Sequence, residues 1–440
     1  MTLYASRIAA LGTENAFRVG DDIARVTPQL AARGIDVIRL NIGEPDFDSA
    51  PHINDAGCAA IHAGKTHYTD PQGILPLRAA IAAHVKRTRG IPVDPAQVIV
   101  TTGGKPSIGF TMQAYVNPGD EVIYPSPGFP IYESWVTYVG AKAVPLPLRE
   151  DRNFIFTADD LAERITKKTK VIILCSPSNP TGGVFDKSDL EQLAKLIRRT
   201  CGPEVRVYSD EIYEDIIFDG HTHHSIASEP GMAERTIIAS GHSKGFAMTG
   251  WRLGWAVLPT VDEAQVFKQL TINTVSCVPP FIQEAGRAAL ESPLSPPVVA
   301  RMVAAFQDRR DKVVAAFNRI PGVTCQTPKG AFYLFPNVGG MCRRFGLIND
   351  EGHPTPIAEQ FGTPARALQA FLLERFGVAT MDRHSFGRIG ADGQHFLRVS
   401  IAAGLERLLE ATERIARAAN DQDAFTEFAS AHAASAASMR

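Results

Sequence analysis

Short runs of apolar residues recur along the middle of the 440-residue chain, and more polar stretches with helical spacing separate them. Several runs are continuously apolar rather than alternating, which is typical of strands buried on both faces of a sheet. Gly, Pro and Ser bound them, as expected where strands end in turns. The pattern predicts seven strands, at residues 98–102, 121–124, 143–148, 171–175, 205–208, 236–239 and 254–258.

The stretches between these strands predict helices, for example at residues 75–88, 107–115 and 188–199. Strands that alternate with helices are joined by right-handed crossovers and therefore lie mostly parallel. We predict an α/β fold in which helices sandwich a mainly parallel seven-stranded sheet. This large domain is expected to cover residues 50–295.

The pattern changes after Ser292, where a Pro-rich stretch leads into a long helical segment and two further β-like runs. It predicts a second, smaller α+β domain formed by residues 1–49 and 296–425. The Gly- and Pro-rich residues 339–364 are interpreted as an inserted loop. The Ala- and Ser-rich residues 426–440 are interpreted as a flexible tail.

The charge balance and the cysteine content argue against several classes of function. The chain has 45 Lys+Arg and 47 Asp+Glu, so it lacks the basic excess of most nucleic-acid-binding domains. Its six cysteines include no CxxC pair, and no apolar stretch approaches the roughly 20 residues of a membrane span. We expect a cytoplasmic protein that binds neither nucleic acid nor membrane and holds no metal.

Four of the predicted strands end in segments that can carry chemistry. These segments are residues 103–105, 176–182, 210–213 and 240–244. Ligands bind at the carboxyl ends of the strands in an open parallel sheet, so the four segments are expected to meet. Each is weak evidence alone, since a Gly-Gly turn or an Asp-Glu pair usually has a structural role. Together they offer an amine, an acid, phosphate donors and partners for a phenolate, the set that pyridoxal 5′-phosphate requires.

The segments SPSNPTG, SDEIY and SKGFAMTGWRLGW occur in this order and resemble the signature blocks of the class I/II aminotransferases. This is the aspartate aminotransferase-like family of pyridoxal-phosphate fold type I. Further similar blocks are NIGEPDF (41–47), HYTDPQGILPLR (67–78), TTGGKPSI (101–108), YPSPGFPIY (124–132), PKGAFYLF (328–335) and FLRVSIA (396–402). The resemblance spans about residues 36–415.

The resemblance implies roles for individual residues. Lys244 matches the lysine that binds the cofactor covalently, and Asp210 matches the carboxylate beneath the pyridine nitrogen. Asn179 and Tyr213 match the pair that binds the phenolic oxygen. The implied catalytic residues are thus Lys244, Asp210 and Tyr213.

The remaining matches concern the phosphate, the ring face and the substrate. Residues implied at the phosphate or ring are Gly103, Gly104, Lys105, Phe129, Arg252, Ser240 beside the usual hydroxyl position, and Tyr68 from a neighbouring subunit. Arg398 matches the arginine that binds the substrate α-carboxylate, with Gly43 and Asn179 nearby.

The implied activity is a ping-pong transamination between an L-amino acid and a 2-oxo acid, on a homodimer with shared active sites. In similar aspartate aminotransferases a lysine at the position of Lys105 binds the distal carboxylate of acidic substrates, which indicates aspartate and 2-oxoglutarate. Arg383 and His384 lie in a segment that faces the substrate side chain in the family, so they either shape that pocket or face solvent.

Two alternatives remain at this point. The first is another pyridoxal-phosphate enzyme of the same fold, such as a β- or γ-eliminating lyase. The second is a non-catalytic regulator that binds the cofactor. The regulator is disfavoured because only about 35 residues precede the first family block, and no basic helix-turn-helix fits there.

Overall fold

The computed structural model describes residues 3–12 and 14–438. Its strands are β1 (Ile38–Arg39), β2 (Val98–Thr101), β3 (Glu121–Ser126), β4 (Lys142–Pro147), β5 (Thr169–Cys175), β6 (Arg206–Asp210), β7 (Thr236–Gly241), β8 (Gly254–Val257), β9 (Tyr333–Leu334), β10 (Val378–Ala379), β11 (Met381–Asp382) and β12 (Leu397–Ser400).

The helices surround these strands. They are α1 (Asn15–Ala31), α2 (Pro51–His62), α3 (Leu75–Arg89), α4 (Lys105–Tyr115), α5 (Ile131–Tyr138), α6 (Ala158–Ala162), α7 (Lys187–Thr200), α8 (Val261–Thr274), α9 (Pro280–Glu291), α10 (Ser295–Phe317), α11 (Gly339–Arg344), α12 (Pro356–Phe361), α13 (Pro364–Phe376), α14 (Leu405–Ala419) and α15 (Gln422–Ser438).

Seven strands form one sheet in the order β2-β8-β7-β6-β5-β3-β4. All neighbours in it are parallel except β8, which runs antiparallel to both β2 and β7. Each of the seven predicted strands is present, and the prediction of a mainly parallel seven-stranded sheet is confirmed. The carboxyl ends of β2, β5, β6 and β7 therefore lie at one edge.

The continuous apolar runs are explained by burial on both faces of this sheet. Along β5, Ile172 and Leu174 pack into a core with Leu193 of α7. The alternate residues Val171 and Ile173 pack into a second core on the opposite face, which includes residues of α4 and α5. Because successive strand side chains point to opposite faces, helices cover both sides.

A second group of strands lies after residue 330. In it, β12 pairs antiparallel with both β11 and β9. Residues near the N-terminus join the same part of the molecule, because β1 pairs in parallel with β10. Ile38 of β1 shares its buried core with Leu334 of β9 and Leu368 of α13. The boundaries of the two domains stay a prediction.

The interpretation of residues 339–364 as an inserted loop is wrong. The stretch contains α11 and α12, and Met341, Cys342 and Ala358 are fully buried in the core that includes α13 and α14. The Gly and Pro residues obscured these helices. Pro356 is in fact the first residue of α12, where its missing N–H costs nothing.

The interpretation of residues 426–440 as a flexible tail is also corrected. Helix α15 continues to Ser438, and residues 439–440 lie outside the described residues. Phe425 and Phe428 are each only 2% exposed and join the same core. No helix in the described part of the chain is long and apolar enough to cross a membrane.

Candidate active site

A cavity of about 630 Å³ lies where the carboxyl ends of the central strands face β11 and β12. Its wall includes most of the residues that the sequence singled out. They are Gly43, Gly104, Lys105, Phe129, Asn179, Asp210, Tyr213, Ser240, Lys244, Arg252 and Arg398. The strand ends thus converge as a parallel sheet requires.

Two lysines, Lys244 and Lys105, are among the described residues that line this cavity. Lys244 is the one that the family resemblance assigns to the cofactor. It follows β7, and its Nζ donates a hydrogen bond to the Gly43 carbonyl at 2.5 Å. Burial lowers the pKa of Lys244 to about 8, and the Arg398 and Arg252 cations contribute to that lowering. About a tenth of this amine is therefore neutral and nucleophilic at pH 7, far more than for an ordinary lysine.

Asp210 is the last residue of β6 and presents a carboxylate to the cavity. The Tyr132 hydroxyl donates a hydrogen bond to Asp210 Oδ2 at 2.5 Å. Burial raises the pKa of Asp210 to about 6, and the Tyr132 hydrogen bond opposes that rise. The side chain is thus an anion at neutral pH, suited to pair with a protonated ring nitrogen.

Another part of the cavity wall is suited to an anion. Gly104 and Lys105 begin α4, where backbone N–H groups have no partner within the helix. Arg252 lines the same cavity, and its guanidinium also donates to the Thr249 carbonyl at 2.8 Å. Gly103 lies behind this guanidinium with φ at +81°, and any Cβ there would collide with it. Gly103 therefore does not line the cavity but makes room for Arg252.

Arg398 enters from β12 and is nine-tenths or more buried. Its guanidinium donates to the Asn179 side-chain oxygen at 3.2 Å and to the Asn41 carbonyl at 2.5 Å. The guanidinium carbon also lies 4.5 Å from the centre of the Tyr333 ring and 4.9 Å from that of Phe386. Two aromatic faces thus hold a cation that is ready for a carboxylate.

Tyr213 faces the same space and shares a hydrogen bond of 2.7 Å with the Tyr333 hydroxyl. Burial raises the pKa of both phenols, so both are neutral donors at working pH. Phe129 lines the cavity near Lys105, whose Nζ lies 5.8 Å from the ring centre. These groups form the walls around the Lys244 amine.

Besides Gly103, two predicted residues do not present their functional groups to this cavity. Ser240 is in its wall, but its hydroxyl donates to Glu214 at 2.9 Å, so it is not free to bind a phosphate. Ser243, one residue before Lys244, lines the cavity instead. Tyr68 lies outside the cavity of its own subunit and is 89% exposed.

Arg383 matches neither of the two interpretations considered for it. Its side chain is fully buried and bonds Gln394 at 2.7 Å, the Gly387 carbonyl at 2.8 Å and Ser126 at 2.9 Å. It therefore holds its own segment in place rather than facing substrate or solvent. Met381 and Phe386, from the same stretch of chain, are the residues that reach the cavity.

Several residues of the cavity wall were not predicted from the sequence. Tyr132 and Tyr333 lie inside quoted family blocks, so their positions were a usable signal. Glu14 lies outside every quoted block, and nothing in its neighbourhood in the sequence marked it.

Comparison with known proteins identifies the family of this chain. The family model described as "Aminotransferase class I and II" matches residues 35–415. The chain is 39% identical over 397 residues to a Petunia hybrida bifunctional aspartate aminotransferase and glutamate/aspartate-prephenate aminotransferase, covering 88% of this chain and 78% of that protein. It is 37% identical over 409 residues to a Cereibacter sphaeroides aspartate/prephenate aminotransferase, covering 90% and 97%.

Solved structures show the same architecture. The aspartate aminotransferase from Rhizobium meliloti superposes with a TM-score of 0.84 at 33% identity, covering 96% of this chain and 99% of that one. An aspartate aminotransferase from Thermus thermophilus with maleate gives a TM-score of 0.82 at 30% identity, covering 95% and 100%. The match extends over nearly the whole of each chain. The chain belongs to the class I and II aminotransferases, and it is an aminotransferase.

Proposed function

We propose that this cavity binds pyridoxal 5′-phosphate on Lys244 and serves to move an amino group between an L-amino acid and a 2-oxo acid. One observation carries the proposal. A lysine amine with a lowered pKa lies in one cavity with a carboxylate, an anion-binding helix start and a buried arginine. These are the groups that the cofactor and an amino acid need in order to bind together.

The donor set fits the cofactor. Arg252, Ser243 and the start of α4 suit its phosphate, and Asp210 suits its ring nitrogen. Asn179 and Tyr213 offer an amide and a hydroxyl for its phenolic oxygen, and Phe129 offers a ring face. When bound, pyridoxal phosphate accepts the electron pair left on the substrate Cα after that carbon loses its proton.

The protein's own residues would bind and orient the substrate. Arg398 would hold the α-carboxylate, because its Nε is buried and has no hydrogen-bond partner among the described residues. Binding of the α-carboxylate by Arg398 fixes which bond at Cα faces Lys244. Lys244 would then act as general base and acid, moving the proton at Cα through its neutral amine.

The substrates proposed for the first tests are aspartate and 2-oxoglutarate. The Lys105 cation lines the cavity and is suited to a second carboxylate. Similar proteins from Petunia hybrida and Cereibacter sphaeroides are named for aspartate and prephenate. Both observations support an acidic substrate.

We also propose a homodimer in which Tyr68 serves the site of the neighbouring subunit. Its side chain is 89% exposed, which is unusual for a large aromatic group without a partner. Ile61 and Leu75, on the two helices that flank this loop, are also exposed. An isologous contact would cover these apolar side chains.

Trapping the bound cofactor tests the proposal. Borohydride reduction of the protein loaded with pyridoxal phosphate, followed by peptide mass mapping, is expected to place the added mass on Lys244. Lys244→Ala should lose the label, whereas Lys268→Ala, which changes a lysine outside the cavity paired with Asp70, should keep it. A label on another lysine, or no label, would refute the proposal.

A further inference from the structure

Lys105 already has a carboxylate partner inside the cavity. Its ammonium forms an ion pair with Glu14, and both residues line the cavity wall. The Glu14 side chain is 18% exposed and that of Lys105 is 44% exposed, so the pair lies between the interior and the opening. Any substrate carboxylate that approaches Lys105 meets a site that is already occupied.

The position of Glu14 in the chain does not require this contact. Glu14 is the N-cap residue of α1, where Ser, Thr, Asp or Asn normally caps the first backbone N–H groups. Within the described part of the chain, its side chain makes no capping hydrogen bond. The carboxylate reaches across to the first residue of α4 instead. The contact is therefore one that helix capping does not explain.

The charge of Glu14 also reaches the reactive end of the cavity. Burial is the largest influence on the pKa of Lys244, and Glu14 is one of two carboxylates that raise it. Glu14 likewise contributes to raising the pKa of Tyr333, after burial. Its carboxylate thus lies within electrostatic range of the position that a substrate must take.

A charge count gives the consequence for substrates. Lys105 and Glu14 together carry no net charge, so a neutral substrate side chain meets a neutral surface. A distal carboxylate adds a second anion beside one cation, and it must compete with Glu14 for the Lys105 ammonium. Like charges at such close range oppose each other.

We propose that Glu14 is a specificity-determining residue that occupies Lys105 and so selects against substrates with a distal carboxylate. This inference rests on the proposed function, since it concerns the substrate side chain bound in the same cavity. Aspartate and 2-oxoglutarate would then bind more weakly than they would without the Glu14 charge. Removing that charge should restore their affinity.

Equilibrium binding of two matched ligands to the protein loaded with pyridoxal phosphate tests the inference. Succinate and butyrate have the same number of carbon atoms, but only succinate has a second carboxylate. In Glu14→Gln, calorimetry should show succinate binding tighter by about fivefold, the effect of a partly exposed ion pair. Butyrate binding should change less, because its single carboxylate binds Arg398 and leaves Lys105 with Glu14. The same variant should lower KM for aspartate relative to 2-aminobutyrate and leave the ratio of the two kcat values unchanged.

Two further variants supply the controls. Asp21→Asn removes an equal charge from an exposed position on α1 outside the cavity, and it should alter neither ligand's affinity. In a Lys105→Met background, succinate and Glu14 have no ammonium to compete for. The increase in succinate affinity caused by Glu14→Gln should therefore be smaller in this background than in the wild-type protein. A double-mutant cycle measures this coupling.

Unchanged or weaker succinate binding in Glu14→Gln would overturn the inference. Weaker binding would mean that Glu14 orients Lys105 for the second carboxylate rather than competing with it. Failure of the wild-type enzyme to turn over any amino acid would count against the proposed function instead, and the binding comparison would still decide the role of Glu14.

Discussion

At the residue scale, the Asp210–Tyr132 pair controls the acidity at the end of β6. Burial alone would keep the carboxylate protonated to higher pH, whereas the tyrosine hydroxyl stabilises the anion. Hydrogen bonds to a charged group are stronger than those between neutral groups. Tyr132 is therefore a positioning residue whose effect should appear in the pH dependence of catalysis.

Tyr132→Phe is expected to raise the pKa of Asp210 above its value of about 6. A carboxylate that loses a donor stays protonated to higher pH, so the acidic limb of the kcat/KM profile should move upward. A loss of about 1.5 kcal/mol corresponds to about one pH unit and about a tenfold lower rate near the limb. The measurement is the pH profile of both enzymes.

Tyr124→Phe provides the matched control. Tyr124 is also buried and donates to a carboxylate, that of Glu133 at 2.7 Å, but it does not line the cavity. Removal of the Tyr124 hydroxyl should leave the acidic limb of the kcat/KM profile at the same pH. Equal shifts in the two variants would show that loss of any buried tyrosine hydroxyl, rather than the Asp210 contact, causes the change.

The strand pattern predicted those site residues that follow strands, whereas others, such as Arg398 on β12, were predicted only through the family resemblance. Lys244 and Asp210 were predictable because the carboxyl ends of parallel strands meet at one edge. The hydrogen bond between Tyr213 and Tyr333 joins residues 120 positions apart, and no local pattern encodes it. Glu14 was missed for the same reason, because its partner is in α4.

At the element scale, α15 stabilises the part of the molecule built after residue 330. Phe428 stacks on Phe361 of α12, with ring centres 5.3 Å apart, and lies 5.5 Å from Phe371 of α13. Further along α15, His432 bonds Glu374 at 2.9 Å. These contacts make α15 an integral helix of the fold.

Phe428→Ala should therefore destabilise the protein by about 3 kcal/mol, since it empties a buried aromatic site. Thermal unfolding should show this as a Tm lower by several degrees. Glu427→Ala, on the neighbouring exposed position that pairs with Arg375 at 3.4 Å, should change Tm very little. If the two variants had the same Tm, α15 would have to be regarded as the loose tail that its composition suggested.

Periodicity worked well for the central strands and poorly for short helices. The strands are buried on both faces, so each is a continuous apolar run that stands out in the sequence. Helices α11 and α12 have six residues each, too few for a helical period to show. In α15, the many Ala and Ser residues concealed the two phenylalanines that hold it in the core.

At the scale of the whole molecule, the proposed homodimer predicts that inactive variants can complement each other. Lys244→Ala and Tyr68→Ala should each be nearly inactive alone. In a hybrid dimer, one site would combine the intact Lys244 of one subunit with the intact Tyr68 of the other. Random pairing should restore about a quarter of wild-type activity, because about half of the dimers are hybrids with one intact site.

The assay is activity after mixing and subunit exchange, with the oligomeric state followed by light scattering. Each variant mixed with wild-type protein controls for the exchange itself. Dimers that form hybrids without regaining activity would show that Tyr68 serves its own subunit or no site at all. A monomeric active enzyme would contradict the shared site altogether.

The most direct test of the account is a single half-reaction without an amino acceptor. The enzyme loaded with pyridoxal phosphate is mixed with excess L-aspartate, and the 2-oxo acid and ammonia released are quantified per subunit. A ping-pong aminotransferase should release about one equivalent of 2-oxo acid per subunit, release no ammonia and then stop. Lys244→Ala should release none. Continued release of pyruvate with ammonia from cysteine, whose thiol can leave from Cβ as sulfide, would indicate a lyase, and no release with aspartate or any other amino acid would contradict the assignment of this cavity as an aminotransferase site.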